Sequence, residues 1–114
     1  MATLHCAEKR VILDLDEPIH SNAVLLRVGD TADRIIARFM QRGEVYHIAD
    51  GTTAKIRFGT QTCDCEVDGD EVSVVVPSSM LQSAGVYISV FVLTGTDNSV
   101  VVSSKFTILV EGGV

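Results

Sequence analysis

Several residue groups in this 114-residue chain have types and spacing that could do chemistry. Cys63 and Cys65 stand two apart, so on a strand both thiols leave the same face and could form half of a zinc site. Asp14 and Asp16 repeat that spacing with carboxylates, and Asp64, Glu66 and Asp68 extend it to three. Such rows could bind calcium or work as an acid/base pair. His47 could serve as a general base. Ser78, Ser79 and Ser83 offer hydroxyls.

Each group also has a plainer reading. A zinc site needs a second ligand pair, yet His5, His20 and His47 are dispersed, so the cysteines read as small core side chains. The oxygen-rich loop that calcium requires is missing, so the acidic rows read as solvated strand surface, the second partly neutralised by Lys55. His47 sits between Val45 and Ile48 without an evident partner and reads as a satisfied strand histidine. The serines lie where caps and turns expect serine. No Gly-x-Ser-x-Gly elbow, phosphate loop or Gly-x-Gly-x-x-Gly turn is present. The chain therefore reads as a non-enzyme with no catalytic residue, no metal and no cofactor.

Whatever the function, strands must carry it. Period-two alternation dominates. Strands are expected at 11–15, 22–28, 34–41, 44–48, 53–58 and from 61 to an Asp68-Gly69-Asp70 turn. Others follow at 71–76, 85–94 and 99–111. In the hairpin around Gly59-Thr60 a type II′ turn places Ile56 opposite Cys63 and Ala54 opposite Cys65, with Lys55 facing Asp64. Pro77 ends one ladder, and Ser78 is placed to cap a short helix through Gln82 that Gly85 stops. One domain spans 1–114, with a core from about 9 to 111. The expected fold is all-β: an antiparallel β-sandwich, immunoglobulin-like, with one short helical turn.

The surplus of apolar residues points to a surface. Val86 to Leu93 is apolar on both faces, whereas one face of a sandwich strand should be wet. Either Ile88, Val90 and Val92 or Tyr87, Phe91 and Leu93 must then be covered from outside. Val75 on a neighbouring strand, with Ile36 and Met40 on the third, could extend that surface. Ile36, Met40, Val75, Ile88, Val90 and Val92 are accordingly the candidate protein interface.

Composition narrows the partners. The net charge of -6, with nine scattered Lys and Arg, argues against nucleic acid. No apolar run is long enough to span a bilayer as a helix, so membrane insertion is not expected. An odd cysteine count and an amino terminus without a signal-peptide core suit a reducing cytoplasm.

One segment is more specific than any core requires: Val45-Tyr46-His47-Ile48-Ala49-Asp50-Gly51-Thr52-Thr53-Ala54-Lys55-Ile56-Arg57. In order along the chain it is accompanied by Leu13-Asp14-Leu15, Gly29-Asp30-Thr31, Cys65 before an acidic turn and Val72 to Val76. Met80-Leu81, Ala84-Gly85 and Phe106-Thr107-Ile108 complete the set. This pattern resembles the N-terminal domain of phage baseplate upper proteins, from tailed phages and prophages of Gram-positive bacteria. Family members carry a longer connection where this chain has Phe58-Gly59-Thr60-Gln61, and they continue into helical or receptor-carrying regions. This chain reads either as an excised domain or as a reduced stand-alone member. The resemblance implies a structural virion protein that docks onto the distal tail protein, other baseplate proteins and its own copies as a homo-oligomer. It also implies assembly in the host bacterial cytoplasm. The rival class is a carbohydrate-binding or adhesive β-sandwich module, for which Tyr46 and Tyr87 are the only aromatic platforms of the Trp/Tyr type.

Overall fold

The alternating pattern folds as strands almost throughout, and the computed structural model, which describes residues 8–15, 23–28 and 33–112, is all-β. The strands are β1 (Glu8–Asp14), β2 (Ala23–Arg27), β3 (Arg34–Gln41), β4 (Glu44–Val45) and β5 (Thr53–Phe58). They continue as β6 (Gln61–Asp68), β7 (Glu71–Val75), β8 (Gly85–Thr94), β9 (Val100–Val102) and β10 (Phe106–Glu111). The expectations that fall on Asp16, Glu17-Pro18, Asn22, Gly29-Asp30-Thr31 and the two chain ends lie outside the described residues.

The ladders form one path, β1-β3-β7-β6-β5-β8-β10-β2, with β4 added beside β3 and β9 beside β8. β6 is where the sheet bends. Its first part pairs with β5 through Cys65, and from Glu66 onward it pairs with β7. Beyond that bend, the half containing β1, β3 and β7 faces the half containing β5, β8, β10 and β2. Phe39 on β3 meets Phe91 on β8 edge to face across the core, with ring centroids 5.9 Å apart. The Ser104 amide donates to the Asp14 carbonyl at 2.9 Å, which brings the end of β1 against the approach to β10. The result is a nearly closed, barrel-like wall.

The hairpin at Gly59-Thr60 has the expected register: Ile56 opposite Cys63, Ala54 opposite Cys65, Lys55 opposite Asp64. Gly59 takes a φ of 59° and Thr60 keeps a negative one, as a type II′ turn requires. Phe106, Ile108 and Val110 point inward as their alternation predicts.

Four features differ from the sequence expectations. The sheet is mixed, because β1 runs parallel to β3 and β2 parallel to β10. β1 and β2 follow one another in the chain yet end up at opposite ends of the path, so neither is joined to its neighbour by a hairpin, and crossovers permit parallel pairing. The last strand is broken. From the Val92–Val102 pair to the Ser89–Phe106 pair, β8 moves three residues while its partner moves four, which is a one-residue bulge. The strand expected at 44–48 stops at Val45. Finally, the helix expected through Gln82 is a single 3-10 turn over Ser78–Met80, closed by the Met80 amide on the Pro77 carbonyl. It goes no further because Met80 and Leu81 are drawn into the core, where both are buried. The Ser78 side chain, expected as the cap, lies outside the described residues.

Candidate protein interface

The groups with chemical potential are dispersed over the fold. Cys63 and Cys65 are free and half-buried on the inward side of β6, opposite Ile56 and Ala54. Burial pushes the Cys65 thiol up to about 12, with the neighbouring Cys63 adding to the shift, so it stays protonated at neutral pH. A protonated thiol is a poor nucleophile and a poor metal ligand. Asp64, Glu66 and Asp68 are exposed, and Lys55 Nζ approaches Asp64 Oδ1 at 3.8 Å. Among the described residues no three His, Cys, Asp or Glu side chains converge as metal ligands.

His47 is not the strand histidine that its neighbours suggest. It projects from the loop after β4, and its Nδ1 lies 2.7 Å from Asp70 Oδ2 in the β6–β7 turn. The other oxygen of Asp70 accepts the Ile48 amide at 3.1 Å. One carboxylate thus takes the Ile48 amide away from strand pairing and holds the His47 side chain against the β6–β7 turn, where β4 has already ended. The His47 hydrogen bond, then that of Ile48, holds the Asp70 carboxyl below its ordinary value of 3.8. A lowered carboxyl stabilises the fold above its unfolded value, and that contribution is lost as pH falls through the folded value. We expect the Ile48 amide to be protected from hydrogen exchange at neutral pH and to lose protection under acid. In Asp70→Ala it exchanges rapidly at every pH. Unchanged protection in that variant would remove Asp70 as the anchor.

Surface chemistry is more informative than these side chains. The odd-numbered residues of β8 turn inward, so Ile88, Val90 and Val92 lie on its outer face. Ile36, Met40 and Val75 lie on the outer face of the other half, and the bend of the wall sends the two outer faces in opposite directions. The six candidates therefore do not form one surface. Nor are all of them open. Ile36 is buried at 7% exposure beneath Arg10 and Arg38, whose guanidinium groups meet Glu71 at 3.3 and 3.0 Å. Val90 is buried at 9%, and opposite it in the ladder stands Arg57, whose methylene stem is long enough to lie across it. Met40 and Val92 are half-buried, while Val75 and Ile88 are exposed.

The contiguous apolar area joins Ile88 to three residues outside the six candidates. Leu25 on β2, Leu109 on β10 and Val86 on β8 are direct neighbours in register, one row across three strands. Their exposures are 45%, 38% and 65%, and Ile88, at 53%, stands next to Val86 on the same face. Leu109 had a sequence signal: it sits on the outward face between Thr107 and Glu111, where a polar residue is expected. Leu25 shares the parity of Arg27, and Val86 that of Ile88, Val90 and Val92, so alternation carried a signal for both.

No protein-family model matches the chain, and no curated protein matches it. Among solved structures the N-terminal domain of phage TP901-1 ORF48 is similar over 92% of this chain and 98% of its own, with a TM-score of 0.77 and 17% sequence identity. The two domains share one fold.

Proposed function

We propose that this domain is a structural component of a phage tail baseplate, a scaffold or adaptor that acts by binding without turnover. The observation that supports it most is the fold likeness, over nearly the full length of both chains, to a phage domain. The place within the phage rests on the resemblance carried by the Tyr46 to Arg57 segment and its companions. In this reading the two halves of the wall serve as the layers of an immunoglobulin-like sandwich. Their outer faces dock the distal tail protein and neighbouring copies, and the domain carries receptor-binding components at the tail tip of the virion. Contacts of modest strength become firm when repeated around a symmetric tail.

The test is light scattering on a sizing column, with the chain alone and mixed with the distal tail protein encoded in the same genome. A co-eluting complex of defined stoichiometry is expected. A chain that ignores the tail protein at every ratio overturns the reading.

One observation favours a second reading, glycan binding. Tyr46 lines a cleft of about 280 Å³ with Thr52, Thr96, Asp97 and Ser99. Ligand pockets usually begin at about 300 Å³, and Asp97 already accepts the Ser99 hydroxyl and amide at 2.6 and 3.1 Å. That places this reading second. Loss of binding to cell-wall oligosaccharide in Tyr46→Ala, with oligomer size unchanged, would reverse the order.

A further inference from the structure

β9 leaves one edge of the wall open. At one end of it the Gly95 amide donates to the Ser99 carbonyl, and at the other the Ser103 amide donates to the Phe91 carbonyl, each at 2.9 Å. Bonded and non-bonded pairs alternate along an antiparallel ladder, so between those points it is Val101 that bonds to Leu93. Val100 and Val102 therefore turn their N–H and C=O groups away from β8. β2 covers the far side of β10 only from Thr107 to Glu111. Among the described residues no hydrogen bond reaches the outward backbone groups of Val100 and Val102.

We propose that this edge receives an extended strand from another protein, paired through its backbone beside β9. The inference rests on the scaffold reading above and names the kind of partner segment. Two donors and two acceptors in a row are the complement of a strand, and strand addition is a recurrent mode of recognition. The side chains agree with the backbone. Val100 and Val102 are 59% and 46% exposed, and Val92, opposite Val102, is half-buried beside them. An incoming strand with β-branched residues opposite the two valines covers them. A lipid surface or a small apolar ligand would cover the valines but leave the four polar groups unmatched.

The other edges are guarded and this one is not. Charge on an edge strand discourages pairing with a foreign chain. Arg10 on β1, Arg27 on β2, Glu44 on β4 and Asp64 on the part of β6 before the bend supply it. β9 is three valines between Ser99 and Ser103 and carries no charge. β2 also occupies the line that the incoming strand would follow, from Ala23 onward, so the opening suits a short segment better than a second whole domain.

The experiment is an NMR titration of the labelled chain with the peptide acetyl-Lys-Thr-Val-Thr-Val-Thr-Lys-amide, repeated for Val102→Pro and Val100→Lys. We expect saturable shifts centred on the Val100 and Val102 amides, whose exchange with solvent slows as the peptide binds. Val102→Pro removes one outward donor and keeps the bond between Val101 and Leu93, and proline is tolerated where an edge amide faces out. It should weaken binding more than tenfold. Val100→Lys supplies the missing charge, should weaken binding likewise, and serves as the test if proline unfolds the domain in circular dichroism melts. The same peptide N-methylated throughout keeps its side chains but has no donors, and should not bind.

Shifts centred elsewhere, no saturation, or equal binding of the N-methylated peptide overturns the assignment. A dimer of the free chain that Val102→Pro breaks would give the edge to a second copy and overturn it too. A chain that co-elutes with the distal tail protein yet ignores the peptide loses only this edge. A chain that binds the peptide at β9 and ignores the tail protein loses only the baseplate reading.

Discussion

Phe91→Ala is expected to lower the unfolding free energy by about 3–5 kcal/mol, the cost of truncating a buried aromatic. Phe91 is fully buried at the middle of β8. Its ring stacks on Phe106 with centroids 5.5 Å apart and planes 9° from parallel, and it meets Phe39 edge to face at 5.9 Å. Phe106 belongs to the same half of the wall and Phe39 to the other. The variant therefore loses transfer free energy, leaves a cavity and removes two ring contacts of about 0.5–1.5 kcal/mol each. Domains of this size are stable by roughly 5–15 kcal/mol, so the loss is a large share of the whole. Urea unfolding followed by tyrosine fluorescence or circular dichroism measures it, with Gln82→Ala, at an exposed position outside the strands, as a control that stays within about 0.5 kcal/mol. A loss below about 1 kcal/mol would mean that the two halves are not coupled through this ring.

Ser103→Ala is the second large effect, about 1–3 kcal/mol, because it strands a buried donor. Ser103 sits at the bulge between β9 and β10 and is almost fully buried. Its amide donates to the Phe91 carbonyl at 2.9 Å. Its hydroxyl accepts the Phe91 amide at 2.9 Å and donates to the Ser104 carbonyl at 2.9 Å. One side chain thus replaces the backbone carbonyl that the bulge takes out of the ladder. Alanine leaves the Phe91 amide without a partner in the core. Ser104→Ala makes the comparison clean, since what Ser104 contributes at the closure with Asp14 is its backbone amide, which alanine retains. Equal stability of the two variants in urea would show that the hydroxyl of Ser103 does not hold the bulge.

Legibility in the sequence followed the range of the interactions involved. The hairpin at Gly59-Thr60 was readable because turn type, loop length and alternation lie within a dozen residues and specify one register. The bounds of β3, Arg34 to Gln41, were equally local. Residues 46–48 were not, because the group that claims the Ile48 amide is Asp70, twenty-two positions away. The bulge at Ser103 was hidden for a similar reason: alternation shows which face a residue takes, and both sides of a bulge keep valid alternation of their own.

The candidate interface divides along the same line. An excess of apolar residues on β8, too great for one buried face, is a property of composition and alternation, and residues 86–93 displayed it without any structure. Which of those residues stay open was decided by neighbours from elsewhere in the chain. Arg57 across the ladder accompanies the burial of Val90, while Arg10, Arg38 and Glu71 cover Ile36. Strand order, set by burying one core between two halves, placed Leu25 beside Leu109 and Leu109 beside Val86. Alternation assigns side chains to faces, but adjacency between strands is long-range, and it is adjacency that turns single exposed residues into a surface.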